Sequence, residues 1–510
     1  MTRSPTDNQQ TTAASTLEGL AVFLASALAC LLVGLAVWRQ GHVDWDATAA
    51  LSHAFDVVHK EPRFNLALIG FTEPPLPAIL YIPFCGLAPT LAVSGLACPI
   101  LGCILLGTTA VMLNGFAARA GLPPLLRWLL VAAFVMHPLI IGLGAMGDPG
   151  IVLAFAGAGA SFALMRWSRN QGFRDLLTCS LFLTAAVLTR YEALWLVITA
   201  TAYVLWRTRR AGPERARTEG TLIAFLLPLL YCACVWVGAN WAIMGDPLHF
   251  CTRPATLGAD HVPAAGRPLW VLSVAVVCFP ALLAALYHEI RGIGRRLPLG
   301  RPAACLAIGV ASGTALWPGL QALPQPAWSH HLLALSVTAT AIGFALLATV
   351  FGFYLQRKHE PRPKLPMGTL LLAIIGTALA VWLSAVGRAP TLPGLPDLLQ
   401  GRSALAATAI TERKAARAIR DNPGPSQLAY LMGDTAFAVS LFTGAPDRVI
   451  ILHHRDPGAL PLNPGDLLAL TAPAEERRIA AALRPKGLRV RPIVVCESPT
   501  WSLFRVERRP

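Results

Sequence analysis

Runs of about twenty apolar residues, parted by short polar loops, set the rhythm of this chain, and such a run matches the length of a helix crossing a bilayer. They fall at roughly 17–38, 92–113, 125–142, 149–165, 175–189, 192–206, 219–242, 269–287, 302–317, 332–355 and 366–386, about eleven in all. PPLPAILYIPFCGL, at 74–87, is too short and too rich in proline to span, and is expected to rest at the surface or dip in and out. Just past the first run, Ala47, Ala50, Leu51, Ala54, Phe55 and Val58 recur at helical spacing, which predicts an amphipathic helix beginning near Asp46.

After about residue 388 the pattern shortens. TERKAARAIRD and PAEERRIAAALRP read as helices, and LAYLM, RVIILH, DLLALT, LRVRPIVVC and WSLFRVER as strands. That mixture predicts a small α/β domain. The expected fold is a polytopic α-helical membrane protein of about eleven transmembrane helices with a C-terminal α/β domain. Residues 1–387 form the membrane part, with an external loop at 39–91, and 388–510 form the second domain.

Composition agrees with that class. The chain of 510 residues is 55% hydrophobic and only 14% charged, where a soluble protein carries about 25%. The net charge of +15 raises the question of a nucleic-acid partner, and the placement of the charges answers it. Arg166, Arg169 and Arg174, then Arg207, Arg209, Arg210, Arg215 and Arg217, sit in alternate loops. Later come Arg291, Arg295, Arg296 and Arg301, and finally Arg357, Lys358, Arg362 and Lys364. The loops between these hold almost none. Such alternation is the positive-inside pattern of a membrane protein, not a phosphate-tracking groove. It puts the N-terminus in the cytoplasm and both 39–91 and 388–510 outside. The cysteines show no zinc spacing. Ionisable groups are almost absent within the spans and no repeat of fixed period is found, which argues against an ion-coupled transporter.

The polar groups on the outer side are the candidates for chemistry. Asp44 and Asp46 stand at the mouth of the first span, where capping the coming helix is the competing role for Asp46. His53 shares a helical stripe with Asp46. Asp56 and His59 lie to the side, and a solvated interfacial face accounts for all three of these later groups. Glu73 precedes a proline pair in FTEPPLPA, and Asp148 in MGDPG begins a span, where Asp-Pro is also a good helix start. Arg190 and Glu192 lie in LTRYEALW, the outer loop most tightly held between apolar segments. A guanidinium there suits a lipid-linked phosphate, and an interfacial anchor is the plainer alternative. His330 and His331 read as loop residues. Outer carboxylates with His53 could hold a divalent cation, but no ligand spacing demands one, so metal dependence is left open.

Taken in order, DWDATAAL, FTEPPLPAIL, GLGAMGDPGIVLAF and LFLTAAVLTRYEALW resemble the GT-C superfamily of integral-membrane glycosyltransferases, the group with the aminoarabinose transferases and protein O-mannosyltransferases. The resemblance covers about the first 200 residues. It implies a bacterial inner-membrane enzyme that takes a sugar from a polyprenyl-phosphate carrier, undecaprenyl-linked, and passes it to a glycan, lipid or protein acceptor on the periplasmic face with inversion. It also implies Asp46 as general base with Asp44 as its rival, Asp148 as a second acid at the cavity edge, and Arg190 as the holder of the donor phosphate. Glu73 and Glu192 join the substrate side with His53. Glu73 stands where many relatives carry Lys or Gln, and Ala47 where they often carry Glu. A catalytically degenerate GT-C-like subunit of a cell-envelope assembly complex is the second reading.

Overall fold

The computed structural model describes residues 5–251 apart from 72 and 212–214. It also describes 407–508 apart from 423–427, 433–434, 453–461, 472–478, 482 and 495–500. The four spans expected after 260, His330 and His331, and the expected domain boundary at 388 lie outside the described residues.

Helix α1 (Pro5–Arg39) leads through a short strand β1 (His42–Val43) into α2 (Trp45–His59). The proline-rich stretch forms α3 (Leu76–Leu87), 12 residues long and so shorter than a span, and α4 (Pro89–Ser94). Next come α5 (Ala97–Arg119), α6 (Pro124–Val135), α7 (Pro138–Met146), α8 (Pro149–Asn170), α9 (Phe173–Thr189), α10 (Leu194–Ala211) and α11 (Arg215–Met244).

All seven runs expected before residue 251 are helical, but they are not alike. Thr16–Arg39, Ala97–Arg119, Pro149–Asn170 and Thr218–Met244 are long and apolar enough to cross a membrane. The run at 125–142 is broken, because α6 and α7 meet at 63°. Pro138 supplies no N–H there, and the residue before a proline is pushed out of the helical region, as the extended His137 shows. Helix α9 has only 17 residues, and α10 ends on Arg207, Arg209 and Arg210. Length and composition therefore mark four spans among the described residues, or five if the bent pair is one.

Polar groups collect at the two ends of this bundle. At one end Arg127 reaches Glu18 at 3.2 Å, tying α6 to α1, and Arg166 reaches Asp175 at 2.9 Å, tying α8 to α9. At the other end the last turn of α1, the first turn of α8 and the last turn of α9 come together. Close approach in between depends on missing side chains. A Cβ on Gly102 of α5 would lie 1.9 Å from the carbonyl oxygen of Gly144 in α7.

The C-terminal residues form a five-stranded sheet flanked by helices. Its strands are β3 (Ala429–Met432), β4 (Val449–Ile451), β5 (Leu467–Leu470), β6 (Leu488–Val494) and β7 (Ser502–Arg508), in the order β4-β3-β5-β7-β6. The first three strands are parallel, and β7 and β6 join antiparallel. Helix α12 (Ile410–Asp421) precedes the sheet, and α13 (Ala436–Thr443) makes the crossover from β3 to β4 that parallel pairing requires.

Alternation along the strands divides two cores. Ala429, Leu431, Leu467 and Ala469 belong to the hydrophobic core that also contains Leu51 and Ala54 of α2, while Tyr430, Met432, Leu468 and Leu470 pack in a second cluster on the far face. One face of the sheet is thus continuous with the helical bundle. A further strand, β2 (Ala407–Thr408), pairs antiparallel with β1, His42 opposite Thr408 and Val43 opposite Ala407.

Candidate functional site

Helix α2 starts where it does because of Asp44. Its backbone is extended, its Oδ1 accepts from the Ala47 N–H at 2.7 Å, and the Thr48 hydroxyl donates to its carbonyl oxygen at 2.6 Å. Asp44 therefore fills the capping role that the sequence left open to Asp46. Asp46 is the second residue of the helix, still in its first turn, and Asp46, Ala50 and His53 present one stripe to a cavity. The opposite side of α2 is held by the C-terminal sheet and its helices. Ser52 donates to the Phe437 carbonyl at 3.0 Å, Trp45 meets the Phe437 ring edge-on, and Lys60 donates to the Val449 carbonyl at 3.4 Å.

Arg190 reaches the same cavity from the end of α9. Its N–H donates to Ala186 O at 3.0 Å and its carbonyl accepts from Ala193 N at 3.1 Å, so the backbone is fixed between the helix and the turn Tyr191–Ala193. Its Nη2 donates to Asp46 Oδ2 at 2.8 Å and lies 3.9 Å from Asp148 Oδ1. Arg190 is 6% exposed. Burial works against its charge, but the carboxylates of Asp46, Asp148, Glu192 and Asp44 outweigh burial and hold the guanidinium more firmly protonated than usual.

Asp148 comes from the α7–α8 junction. Gly147 adopts φ +72°, and a Cβ there would sit 2.3 Å from the Cys98 carbonyl, so only glycine ends α7 in this way. Asp148 then caps α8 by accepting from the Gly150 N–H, with Pro149 at the first helical position. Asp148 is thus a cap, and it lies 3.9 Å from Arg190 without itself lining the cavity, where the sequence resemblance implies a second acid at the cavity edge.

The sequence-derived candidates divide accordingly. Asp46, His53, Glu73, Arg190 and Glu192 line the one cavity, joined by Pro149 next to Asp148. Asp44 does not line it. It faces a second, small cavity together with His42 and Thr48, is 2% exposed, and leaves Oδ2 without a hydrogen-bond partner. Burial first, then the nearby Asp148 and Asp46 carboxylates, push the Asp44 carboxyl well above the usual range. His59 and Asp56 stay apart, His59 Nε2 lying 3.0 Å from the Cys85 carbonyl.

One aromatic residue that sequence reasoning passed over reaches the cavity, and others support the site from behind. Tyr191 lines the cavity and accepts from Trp236 Nε1 at 3.0 Å, and Trp236 stacks on Phe71 with centroids 5.2 Å apart. Tyr81 of α3 is buried and donates to the Gly147 carbonyl at 3.2 Å, supporting the turn before Asp148. Tyr191 lay within the quoted LTRYEALW, but Phe71 and Trp236 had no local signal.

Among the described residues, no three His, Cys, Asp or Glu side chains are grouped to hold a metal ion. The point between Asp46 and Asp148, where a shared cation would be expected, is taken by the Arg190 guanidinium. The set suits an anionic leaving group and a proton acceptor side by side.

No protein-family model matches the chain, and no curated protein matches it in sequence. Similarity is found among solved structures. ArnT from Cupriavidus metallidurans, bound to undecaprenyl phosphate, superposes with a TM-score of 0.51 at 13% identity, over 95% of this chain and 97% of that one. The apo oligosaccharyltransferase of Archaeoglobus fulgidus gives 0.52 at 12%, over 93% and 69%. The same organism's AglB, in complex with an inhibitory peptide and a dolichol-phosphate, gives 0.50 at 12%, over 84% and 64%. Both proteins are GT-C glycosyltransferases. At this identity the likeness concerns the fold alone.

Proposed function

We propose that this GT-C fold carries a membrane glycosyltransferase, which moves a sugar from a polyprenyl-phosphate carrier to an acceptor hydroxyl on the periplasmic face. The observation that carries the reading is the meeting of Asp46 with Arg190 at 2.8 Å on the wall of one cavity, from positions 144 residues apart. A carboxylate and a buried guanidinium are the two groups this chemistry needs.

The acceptor oxygen forms its bond to the anomeric carbon while the bond from that carbon to the carrier phosphate breaks. The electron pair leaves with the phosphate, and the hydroxyl proton passes to the Asp46 carboxylate. Attack opposite the leaving group inverts the anomeric centre. Arg190 neutralises the charge growing on the departing phosphate from a fixed, water-poor position. Asp148 keeps Arg190 in place, and Glu73, Glu192 and His53 offer hydrogen bonds to sugar or acceptor hydroxyls. Tyr191, bonded by Trp236 from behind, gives the sugar an apolar face to lie against.

Purified protein given a labelled carrier-linked sugar and a suitable acceptor is expected to form the glycoside. Asp46→Asn is expected to lower the rate about 10²- to 10⁴-fold, the usual contribution of a general base. Full transfer by the Asn variant would remove Asp46 from this role. The second reading, a degenerate subunit, draws on the same ion pair, since an aspartate already neutralised by arginine is a weak base. It requires Asp46→Asn and Arg190→Ala to support normal envelope assembly in cells.

A further inference from the structure

We propose that Asp44 works as a neutral acid whose Oδ2–H reaches Nδ1 of His42 through one buried water, and that it positions Asp46 instead of rivalling it as the base. The role given to Asp46 rests on the function proposed above; the bridge does not.

The first observation is a pair of side-chain atoms that each lack a complement. Asp44 Oδ2 and His42 Nδ1 are both buried without a hydrogen-bond partner. The two residues, 2% and 8% exposed, line the same small cavity. Left so, each atom carries the cost of its desolvation. A water between them removes both costs, because buried waters settle where polar groups converge with no other partner. Thr48 lines this cavity as well. Its hydroxyl proton goes to the Asp44 carbonyl, so its oxygen keeps lone pairs to accept a further bond from the water.

The second observation locates the proton. Such a bridge needs one donor, and either the acid or the imidazole can supply it. Asp44 is faced by His42 of β1, Asp46 of its own helix, Tyr81 of α3, Cys98 of α5, Asp148 before α8 and Arg190 after α9. Burial first, then the Asp148 and Asp46 carboxylates, favour the protonated acid, and together they outweigh the Ala47 N–H and Arg190. Burial also works against a charged imidazole at His42. The arrangement that buries no ion here is the protonated acid beside a neutral imidazole. Asp44 then donates to the water, and the water donates to His42 Nδ1, whose ring carries its own proton on Nε2.

The third observation is where the two ends of the acid lead. Oδ1 accepts from the Ala47 N–H at 2.7 Å, inside the first turn of α2. His42 stands on β1, opposite Thr408 of β2. One side chain thus ties the turn that carries Asp46 to a strand pair whose other member comes from the C-terminal part of the chain. An acid that already holds its proton takes none from a hydroxyl. The base is therefore Asp46, and Asp44 fixes its place.

Infrared spectra of the purified full-length protein, in an ester-free detergent at neutral pH, test the proton directly. A protonated-carboxyl C=O band that shifts in D2O is expected in wild type and is expected to vanish in Asp44→Asn. His42→Phe removes Nδ1 but keeps a ring, and it is expected to move that band to higher frequency as the acid loses its partner. An unchanged carboxyl region in Asp44→Asn would make Asp44 an anion, and an unmoved band in His42→Phe would remove the bridge. Either result overturns the proposal. Sugar transfer tests the positioning role. Asp44→Ala is expected to slow turnover severalfold. Asp44→Asn is expected to restore it to within about twofold of wild type, since Asn caps as well as Asp and its amide donates where the acid does. A loss in Asp44→Asn as deep as in Asp46→Asn would make Asp44 the base and overturn the proposal too. Absence of transfer by wild type would sink the functional reading alone, because the infrared bands decide the bridge without it.

Discussion

Two aspartates separated by a single tryptophan do different work at the start of α2. Asp44 is consumed by the helix: it caps, it is buried, and its carboxyl is held above the normal range. Asp46 keeps one side in the cavity and one on Arg190. Asp56, nearly three turns on, faces neither. Burial, offset in part by Lys60 and reinforced by Asp447, pushes it from the ordinary 3.8 to about 6. The folded form then holds the proton more tightly than the unfolded chain. Its contribution to stability is complete below about pH 3.8 and is drawn down as pH climbs to about 6. Thermal unfolding of Asp56→Asn and wild type between pH 4 and 8 is expected to show the variant gaining steadily up to about pH 6 and keeping a constant lead above it. A difference independent of pH would exclude this account.

Elements differ in how plainly the sequence announces them. Helix α2 was legible because apolar positions recur around a polar stripe, and the strands of the sheet were legible as short β-rich runs between turn residues. Helix α13 was not: AFAVSLFT is apolar on nearly every side, because it is buried between the sheet and α2, and so carries no helical period. The break between α6 and α7 was hidden for a related reason, as the apolar run continues through His137-Pro138 without a polar gap. The convergence of Asp46, Asp148 and Arg190 has no local signature, and only the order of motifs pointed to it. Which aspartate caps α2 was beyond reach as well, since both residue types and both positions satisfy the capping rule. Packing between α5 and α7 offers a direct test at this scale. Gly102→Ala would drive a methyl into the Gly144 carbonyl, with no side chain free to yield. A loss of about 1–3 kcal/mol or more is expected, read as a lowered thermal midpoint, and an unchanged midpoint would show that the two helices can part.

At the scale of the whole molecule, the C-terminal sheet and its helices act as the back wall of the site. Strand β2 pairs with β1 immediately before Asp44, Ser52 and Lys60 bond to backbone carbonyls of that unit, and Glu61 N–H donates to Asp447 at 2.7 Å. Arg413 adds a brace from α12, donating to the Ser94 carbonyl at 3.3 Å while lying over the rings of Trp38 and Phe442. Arg413→Ala is expected to lower turnover severalfold through loosening of α2 while leaving affinity for carrier phosphate near wild type, because Arg190 is held from α9. Hydrogen exchange across residues 45–59 would report the loosening, and unchanged exchange with unchanged turnover would show that the brace is idle.

That same contact sets a clock. Ser52 waits for a partner 385 residues further along the chain, and at about 5–20 residues per second the ribosome needs roughly 20–80 seconds to supply it. Through that interval the far side of α2, opposite the cavity, has no wall. A nascent chain that has already placed its first helices still lacks the support behind α2, and it acquires that support only as the segment around Phe437 packs against Ser52.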